Sequence, residues 1–244
     1  MKTDRDQPPH SATARSRELL TRLRADLRRS ADASKAPGMR AYMKSAMPYH
    51  GVPLPTVRKV CRRVFADLDL PTAAAWRSHA LTLWRKARYR EERYAALALA
   101  GHPRAARFQT PDAMKMYEEM ITTGAWWDYV DDIATHRVGP ILMRHRKPME
   151  TMMRAWSRSE NLWKRRTSIL CQIGFKQETD LDLLYACIEP SLGSKEFFLQ
   201  KAVGWALRQY AWTDPEEVIR YVRRHDARLS PLSRREALKN VLKR

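Results

Sequence analysis

An all-α fold, an α-solenoid of stacked antiparallel helix pairs, is what this sequence predicts, and three observations predict it. Amphipathic segments of about 12–20 residues, the ordinary length of globular helices, follow one another from Ala14 onward. Short breaks rich in Pro, Gly, Ser or Asp separate them. Ala, Leu, Arg, Lys and Glu dominate, while only 8 glycines occur in 244 residues and strand-like alternation is scarce. A hydrophobic fraction of 44% supplies a core. About a dozen helices joined by short turns pack as antiparallel neighbours and stack in pairs. No strict repeat is visible, so the repeats are degenerate, and a compact helical bundle is the alternative architecture. A solenoid offers a concave face suited to a long polyanion.

Residues 1–14, polar and carrying Pro8 and Pro9, read as a disordered tail. Residues 15–244 then form one helical-repeat domain. Its breaks fall near Ala36-Pro37-Gly38, Gly51 to Pro55, Asp69 to Pro71, Gly101 to Arg104, Thr110-Pro111, Ser157 to Glu160, Glu189 to Ser194 and Thr213 to Pro215. Thr110-Pro111 and Asp214-Pro215 each place a capping side chain before a proline at the first helical position. Ser230-Pro231, and Ser233 with Glu236 as a capping box, offer overlapping starts for the last helix.

Three segments depart from simple amphipathic patterning. A helix advances about 100° per residue, which puts Trp127, Val130, Asp131, Ala134 and Val138 on one packing face. Asp131 therefore stands in an apolar slot one turn after Trp127. The next such stripe is Leu162, Arg166, Ile169, Leu170 and Ile173, where Arg166 takes a position that packing would give to leucine. A lone buried ion is costly, so Asp131 and Arg166 are expected to lie together or to share a ligand. The plain alternative is a buried salt bridge that only fixes register. In the third segment Leu199, Val203, Ala206, Leu207 and Tyr210 form the core stripe, and Trp205 lies nearly opposite, between Lys201 and Arg208. An indole between two cations suits contact with a nucleotide, and packing against the next helix is its structural alternative.

The charge balance points the same way. Lys and Arg number 46 against 27 acids, a formal charge of +19, and such a field attracts polyanions. A membrane partner is not expected, because no apolar run reaches about 18 residues and no lipidation signal follows an amphipathic segment. Cys61, Cys171 and Cys187 are far apart, with no Cys-x-x-Cys and no Cys/His cluster at metal spacing. The 7 histidines make no ligand pattern. No phosphate-cradling glycine loop, nucleophile elbow or zinc-deaminase spacing occurs. No metal and no cofactor is expected. The N-terminus lacks the apolar region of a secretory signal, so the cytoplasm is the expected location, in association with the nucleoid if the source is bacterial.

Several strings resemble the AlkD-type DNA alkylation-repair glycosylases. They are Trp126-Trp127-Asp128-Tyr129-Val130-Asp131, Asn161-Leu162-Trp163-Lys164-Arg165-Arg166, and Ser194-Lys195-Glu196-Phe197-Phe198 running into Lys201-Ala202-Val203-Gly204-Trp205. The resemblance extends upstream through Tyr42-Met43-Lys44, Pro48, Gly51-Val52, Arg58, Arg90-Glu91 and Tyr94-Ala95-Ala96-Leu97, and downstream through Ser230 to Ala237. It implies a HEAT-like helical-repeat domain over 15–244 with a basic concave face that cradles duplex DNA. It also implies excision of cationic N3- and N7-alkylated purines, with the catalytic aspartate at Asp131, the tryptophan pair at Trp127 and Trp205, and the active-site arginine at Arg166. Lys164, Arg165, Arg166, Lys195, Lys201, Arg208 and Arg234 are then the expected DNA-binding cations.

The expected function is thus a monofunctional glycosylase acting, as a monomer, on double-stranded DNA that contains 3-methyladenine or 7-methylguanine. A cationic purine leaves as a neutral base, so one carboxylate suffices where ordinary glycoside hydrolysis uses two. Asp131 would stabilise the oxocarbenium ion and orient water. Trp127 and Trp205 would face the electron-poor sugar, and Arg166 would clamp a phosphate. A non-catalytic DNA-binding repeat protein for distorted or branched DNA is the first alternative. A helical scaffold for RNA or an acidic protein is the second.

Overall fold

The computed structural model describes residues 9–241, with side chains from residue 14 onward. Every element among these residues is helical. The contacts cluster into two compact units, residues 1–109 and 110–244, within the span expected to form one repeat domain.

The first unit holds α1 (Pro9–Arg29), α2 (Ala36–Tyr42), α3 (Leu54–Val64), α4 (Ala73–Arg85), α5 (Arg90–Ala100) and a 3-10 turn at Pro103–Phe108. Helix α1 begins at Pro9, within the stretch read from the sequence as a polar tail; residues 1–8 lie outside the described part. A proline at the first helical position is tolerated because its missing N–H has no intrahelical partner there. Helix α1 packs on α3 and α4, and α5 closes over the same two. Leu23, Leu27, Val60, Trp76, Leu83 and Leu99 fill the space between them. Thr72 caps α4 by accepting from Ala75 N at 3.1 Å. Glu91 is fully buried, yet its carboxylate accepts from the backbone N–H of His50 and Val52 at 3.1 and 3.0 Å. A buried acid is thereby tolerated and pins the irregular 45–52 segment to α5.

The second unit holds α6 (Met114–Gly124), α7 (Trp127–Ile133), a π-helical turn (Ala134–Val138), α8 (Gly139–Arg144), α9 (Arg146–Ser157), α10 (Leu162–Leu170), α11 (Leu181–Ile188), α12 (Phe197–Tyr210), α13 (Pro215–Arg224) and α14 (Pro231–Leu238). Helix α9 meets α10 and α11, α10 meets α11 and α12, and α12 meets α13 and α14. That alternation is how helix pairs stack into a repeat array. Leu170, Leu184, Leu199, Val203, Leu207 and Val218 make the shared apolar layer.

The cap expectations divide. Asp214 accepts from Glu217 N at 2.9 Å and Ser230 from Ser233 N at 3.0 Å, as their positions before a proline require. Thr110 makes no side-chain cap, because a short 3-10 turn intervenes before α6. The Ser233/Glu236 capping box does not form: Ser233 Oγ donates to Gln200 O, and Glu236 turns to α12.

Candidate functional site

Asp131 and Arg166 meet. Arg166 Nε donates to Asp131 Oδ1 and Nη2 to Oδ2, both at 2.7 Å, a two-point fork between α10 and α7. The third nitrogen, Nη1, donates to the Phe198 carbonyl at the start of α12 at 2.5 Å. Arg166 is only 5% exposed, and Asp131 is mostly covered. Helix α10 can present a buried guanidinium because Asn161 caps it, accepting from Trp163 N and Lys164 N, and because Ile169 and Leu170 anchor its apolar side. Burial pushes the Asp131 carboxyl above its ordinary value, the Arg166 fork opposes that push, and the charge of Asp128 adds to it.

Aromatic rings wall the pair. Trp126, Trp163 and Phe198 lie within 6.3 Å of one another by ring centroid, and the Arg166 guanidinium sits 5.9 Å from the Phe198 ring. Phe197, beside them, is 57% exposed. The backbone that delivers Trp126 and Trp127 turns through Ala125, a left-handed residue at φ 43° that ends α6. An L-residue pays for that conformation, and such strain gathers at functional sites. After Asp131 the helix passes into the π turn, another feature common at sites, and Thr135 Oγ1 donates to the Asp131 carbonyl at 2.7 Å.

The expected stripe on α7 is displaced. Its buried residues are Tyr129, Val130 and Ile133, followed by Ala134, so Trp127 and Asp131 lie at the border of the packed face and keep an open edge. Arg166 is buried as expected, and three of its five N–H groups serve Asp131 and Phe198, which leaves one on each terminal nitrogen for the expected phosphate contact. Trp205 is not an exposed indole between free cations. It is half-buried against the apolar layer of α10 to α14, and Lys201 and Arg208 both pair with Glu236, at 2.9 and 2.5 Å. The reason is α14, which packs along that side of α12 and brings its own acid. Lys201 is the leading cause that holds the Glu236 carboxyl below its ordinary value.

The other expected DNA-binding cations are also partly engaged. Lys164 bonds Glu118 at 2.6 Å, Arg165 donates to Pro190 O and Ser191 Oγ at 3.1 and 3.0 Å, and Arg234 bonds Asp226 at 2.9 Å. Lys195 is exposed and has no ion pair among the described residues. The walls of the site, Trp126, Trp163 and Phe198, received no role from the sequence. Their available signal was position, each directly beside or near a residue singled out on a wheel. Among the described residues no group of three His, Cys, Asp or Glu is placed to hold a metal ion, and no helix is long and apolar enough to cross a membrane.

Comparison with known proteins extends the geometry. A solved structure described as a predicted DNA alkylation repair enzyme from Enterococcus faecalis is 27% identical, covers 88% of this chain and 98% of its own, and superposes with a TM-score of 0.77. The Pseudomonas fluorescens alkylpurine DNA glycosylase AlkC, bound to DNA containing an abasic site analogue, shares the fold at 16% identity and a TM-score of 0.50, over 95% of this chain and 63% of its own. Among curated proteins no sequence matches. The model of the DNA alkylation repair enzyme family matches residues 23–241, which spans both compact units and every site residue named above. The chain belongs to the DNA alkylation repair enzyme family.

Proposed function

We propose that the chain is a monofunctional DNA glycosylase that hydrolyses the N-glycosidic bond of cationic N3- and N7-alkylated purines, 3-methyladenine and 7-methylguanine, in duplex DNA. One observation carries the reading: Asp131 is held by a two-point arginine fork at the open edge of an aromatic-walled site. The family membership and the DNA-bound glycosylase of shared fold support it.

The chemistry follows from what remains free on Asp131. A carboxylate offers about four acceptor sites, and the fork uses two. The outer ones can face a sugar and a water. As the C1′–N bond breaks, the bonding electrons go to the departing purine, which leaves neutral because it was cationic. Positive charge grows on C1′ and the ring oxygen, and the fixed carboxylate stabilises it. Water held by the same carboxylate adds to C1′ and gives its proton to Asp131, which passes it to solvent, leaving an abasic deoxyribose. Arg166 acts here as the positioning group for Asp131. Trp127, one turn before Asp131, can place its ring face toward the developing cation. The net charge of +19 draws duplex DNA to the chain, and Lys195 is its freest contact among the cations of the matched strings.

The test is release of 7-methylguanine and 3-methyladenine from methylated duplex DNA, resolved by chromatography. Wild type should release base, and Asp131→Asn should slow release by about 100-fold or more. If wild type binds duplex tightly yet frees neither base, the non-catalytic DNA-binding reading replaces this one.

A further inference from the structure

Helix α9 carries a cationic row on its outer side. Its buried side chains, Met149, Met153 and Trp156, face α10 and α11. The Lys164 ammonium of α10 lies 5.1 Å from the Trp156 ring, and Cys187 of α11 approaches the Met153 carbonyl at 3.8 Å. At about 100° per residue, Lys147, Thr151, Arg154 and Arg158 fall within about 60° of one another on the opposite side. All of them are exposed, and Lys147, Arg154 and Arg158 make no ion pair among the described residues. The only acid of α9, Glu150, is half-buried on the flank of the row.

Helix stability does not account for this row. Cations suit the C-terminal end of a helix, which covers Arg154 and Arg158. Lys147 stands in the first turn, beside Arg146 and with no acid there, where the helix dipole opposes a positive charge. Arg146 has Glu178 at 3.8 Å, whereas Lys147 has no such partner among the described residues. The row also looks away from α10, the helix that carries Arg166 to Asp131 on α7 and to Phe198 on α12. A duplex seated at the Asp131 site therefore leaves it in solvent.

We propose that the α9 row is a second surface for duplex DNA, so that one chain holds a further DNA segment while the first lies at the Asp131 site. This rests on the duplex-binding part of the proposed function and not on base release. From Lys147 to Arg158 the row runs roughly 16 Å, enough to meet phosphates on both rims of a groove about 12 Å wide. No aromatic or large aliphatic side chain stands in it, so it offers a single strand no stacking platform and a membrane nothing to insert. Contacts to phosphate alone carry no sequence information, which suits a surface that accepts any neighbouring segment. A chain that grips the next segment before leaving the last passes between them without full release into solvent.

Analytical ultracentrifugation of the full chain at low salt, with short unmodified duplex in excess, tests this. Wild type should sediment with two duplexes per chain. The triple variant Lys147→Gln, Arg154→Gln, Arg158→Gln alters only exposed, unpaired side chains and should keep the fold. Its second binding event should weaken by about tenfold or more, with the first unchanged within about twofold. Lys195→Ala should do the reverse and weaken the first event alone. One duplex per wild-type chain, held equally well by the triple variant, overturns the proposal and leaves the Asp131 side as the duplex surface. Two duplexes bound by the triple variant with wild-type affinity overturn it as well. A single duplex lost in the triple variant and kept in Lys195→Ala overturns the two-surface arrangement together with the placement of DNA at Asp131. If no duplex binds wild type, both readings fall.

Discussion

Gly204 and Glu236 touch so closely that no side chain fits between them: a Cβ on Gly204 would lie 2.5 Å from the Glu236 Cβ and 2.9 Å from the Ser233 carbonyl oxygen. The missing side chain lets α14 lie against α12, and that approach puts the Glu236 carboxylate within reach of both Lys201 and Arg208. Gly204→Ala should therefore force the two helices apart and cost about 1–3 kcal/mol, since overpacking a filled contact is not relieved locally. Thermal denaturation measures the loss. An unchanged melting temperature would mean that α14 can shift freely, which its backbone contact to Gly204 argues against.

Arg166→Lys should behave as a damaging change despite keeping the charge. An ammonium cannot make the fork to both oxygens of Asp131 while also serving the Phe198 carbonyl. Loss of charge-assisted bonds at a buried position should lower stability by about 2 kcal/mol. Arg166→Ala should cost about 3–5 kcal/mol, because it strands a covered carboxylate. Urea denaturation gives both values. In single-turnover base release, Arg166→Lys should fall well below wild type, because the fork that aims Asp131 is lost.

Asp131 and Glu236 should respond to pH in opposite senses. Asp131 is raised by burial, so its ionised form is disfavoured in the folded chain. Its contribution to stability is fully present below the unfolded value of 3.8 and is lost as pH rises through the higher folded value. Base release, which needs the carboxylate, should accordingly fail on acidification at a midpoint above 3.8. Glu236 is lowered, first by Lys201, so its contribution is present above 4.5 and is lost as pH falls through the depressed value. Glu236→Gln should flatten the acid side of a melting-temperature profile; Asp131→Asn should not.

Salt should separate the cations by their partners. Lys195→Ala should reduce the slope of log affinity for duplex against log salt by about 1, as expected for one phosphate contact. Arg165→Ala should leave the slope unchanged and lower stability instead, because that guanidinium ties α10 to Pro190 O and Ser191 Oγ. Equal slopes for wild type and Lys195→Ala would remove Lys195 from the DNA interface.

The sequence made the helices and the central pair legible for one physical reason: both depend on neighbours along one helix. A serine or aspartate before a proline fixes a cap locally, and Ser230 and Asp214 cap as expected. A charge in an apolar stripe demands an opposite charge, and Asp131 and Arg166 supply one another. The exposure of Trp205 and the unpaired state of Lys201 and Arg208 were misjudged because a helical wheel does not say which helix covers the far side. The last helix itself was legible from Ser230-Pro231, and Gly204 in mid-helix was a trace of how closely it approaches α12. The aromatic wall was invisible for the same reason, since Trp126, Trp163 and Phe198 come from three separate segments.

The π turn at Ala134–Val138 has a consequence for chain length. A π turn holds about one residue more than an α turn, which amounts to a phase step of roughly 100°. Delete one residue there and the helix can close as ordinary α, while α8 stays anchored by the contact of Gly139 with the Cys171 carbonyl. The adjustment would then fall on α7, swinging Trp127 and Asp131 around the axis and away from Arg166. The aim of the carboxylate is thus encoded in a count of residues, so a one-residue deletion can silence the site with every functional side chain still present.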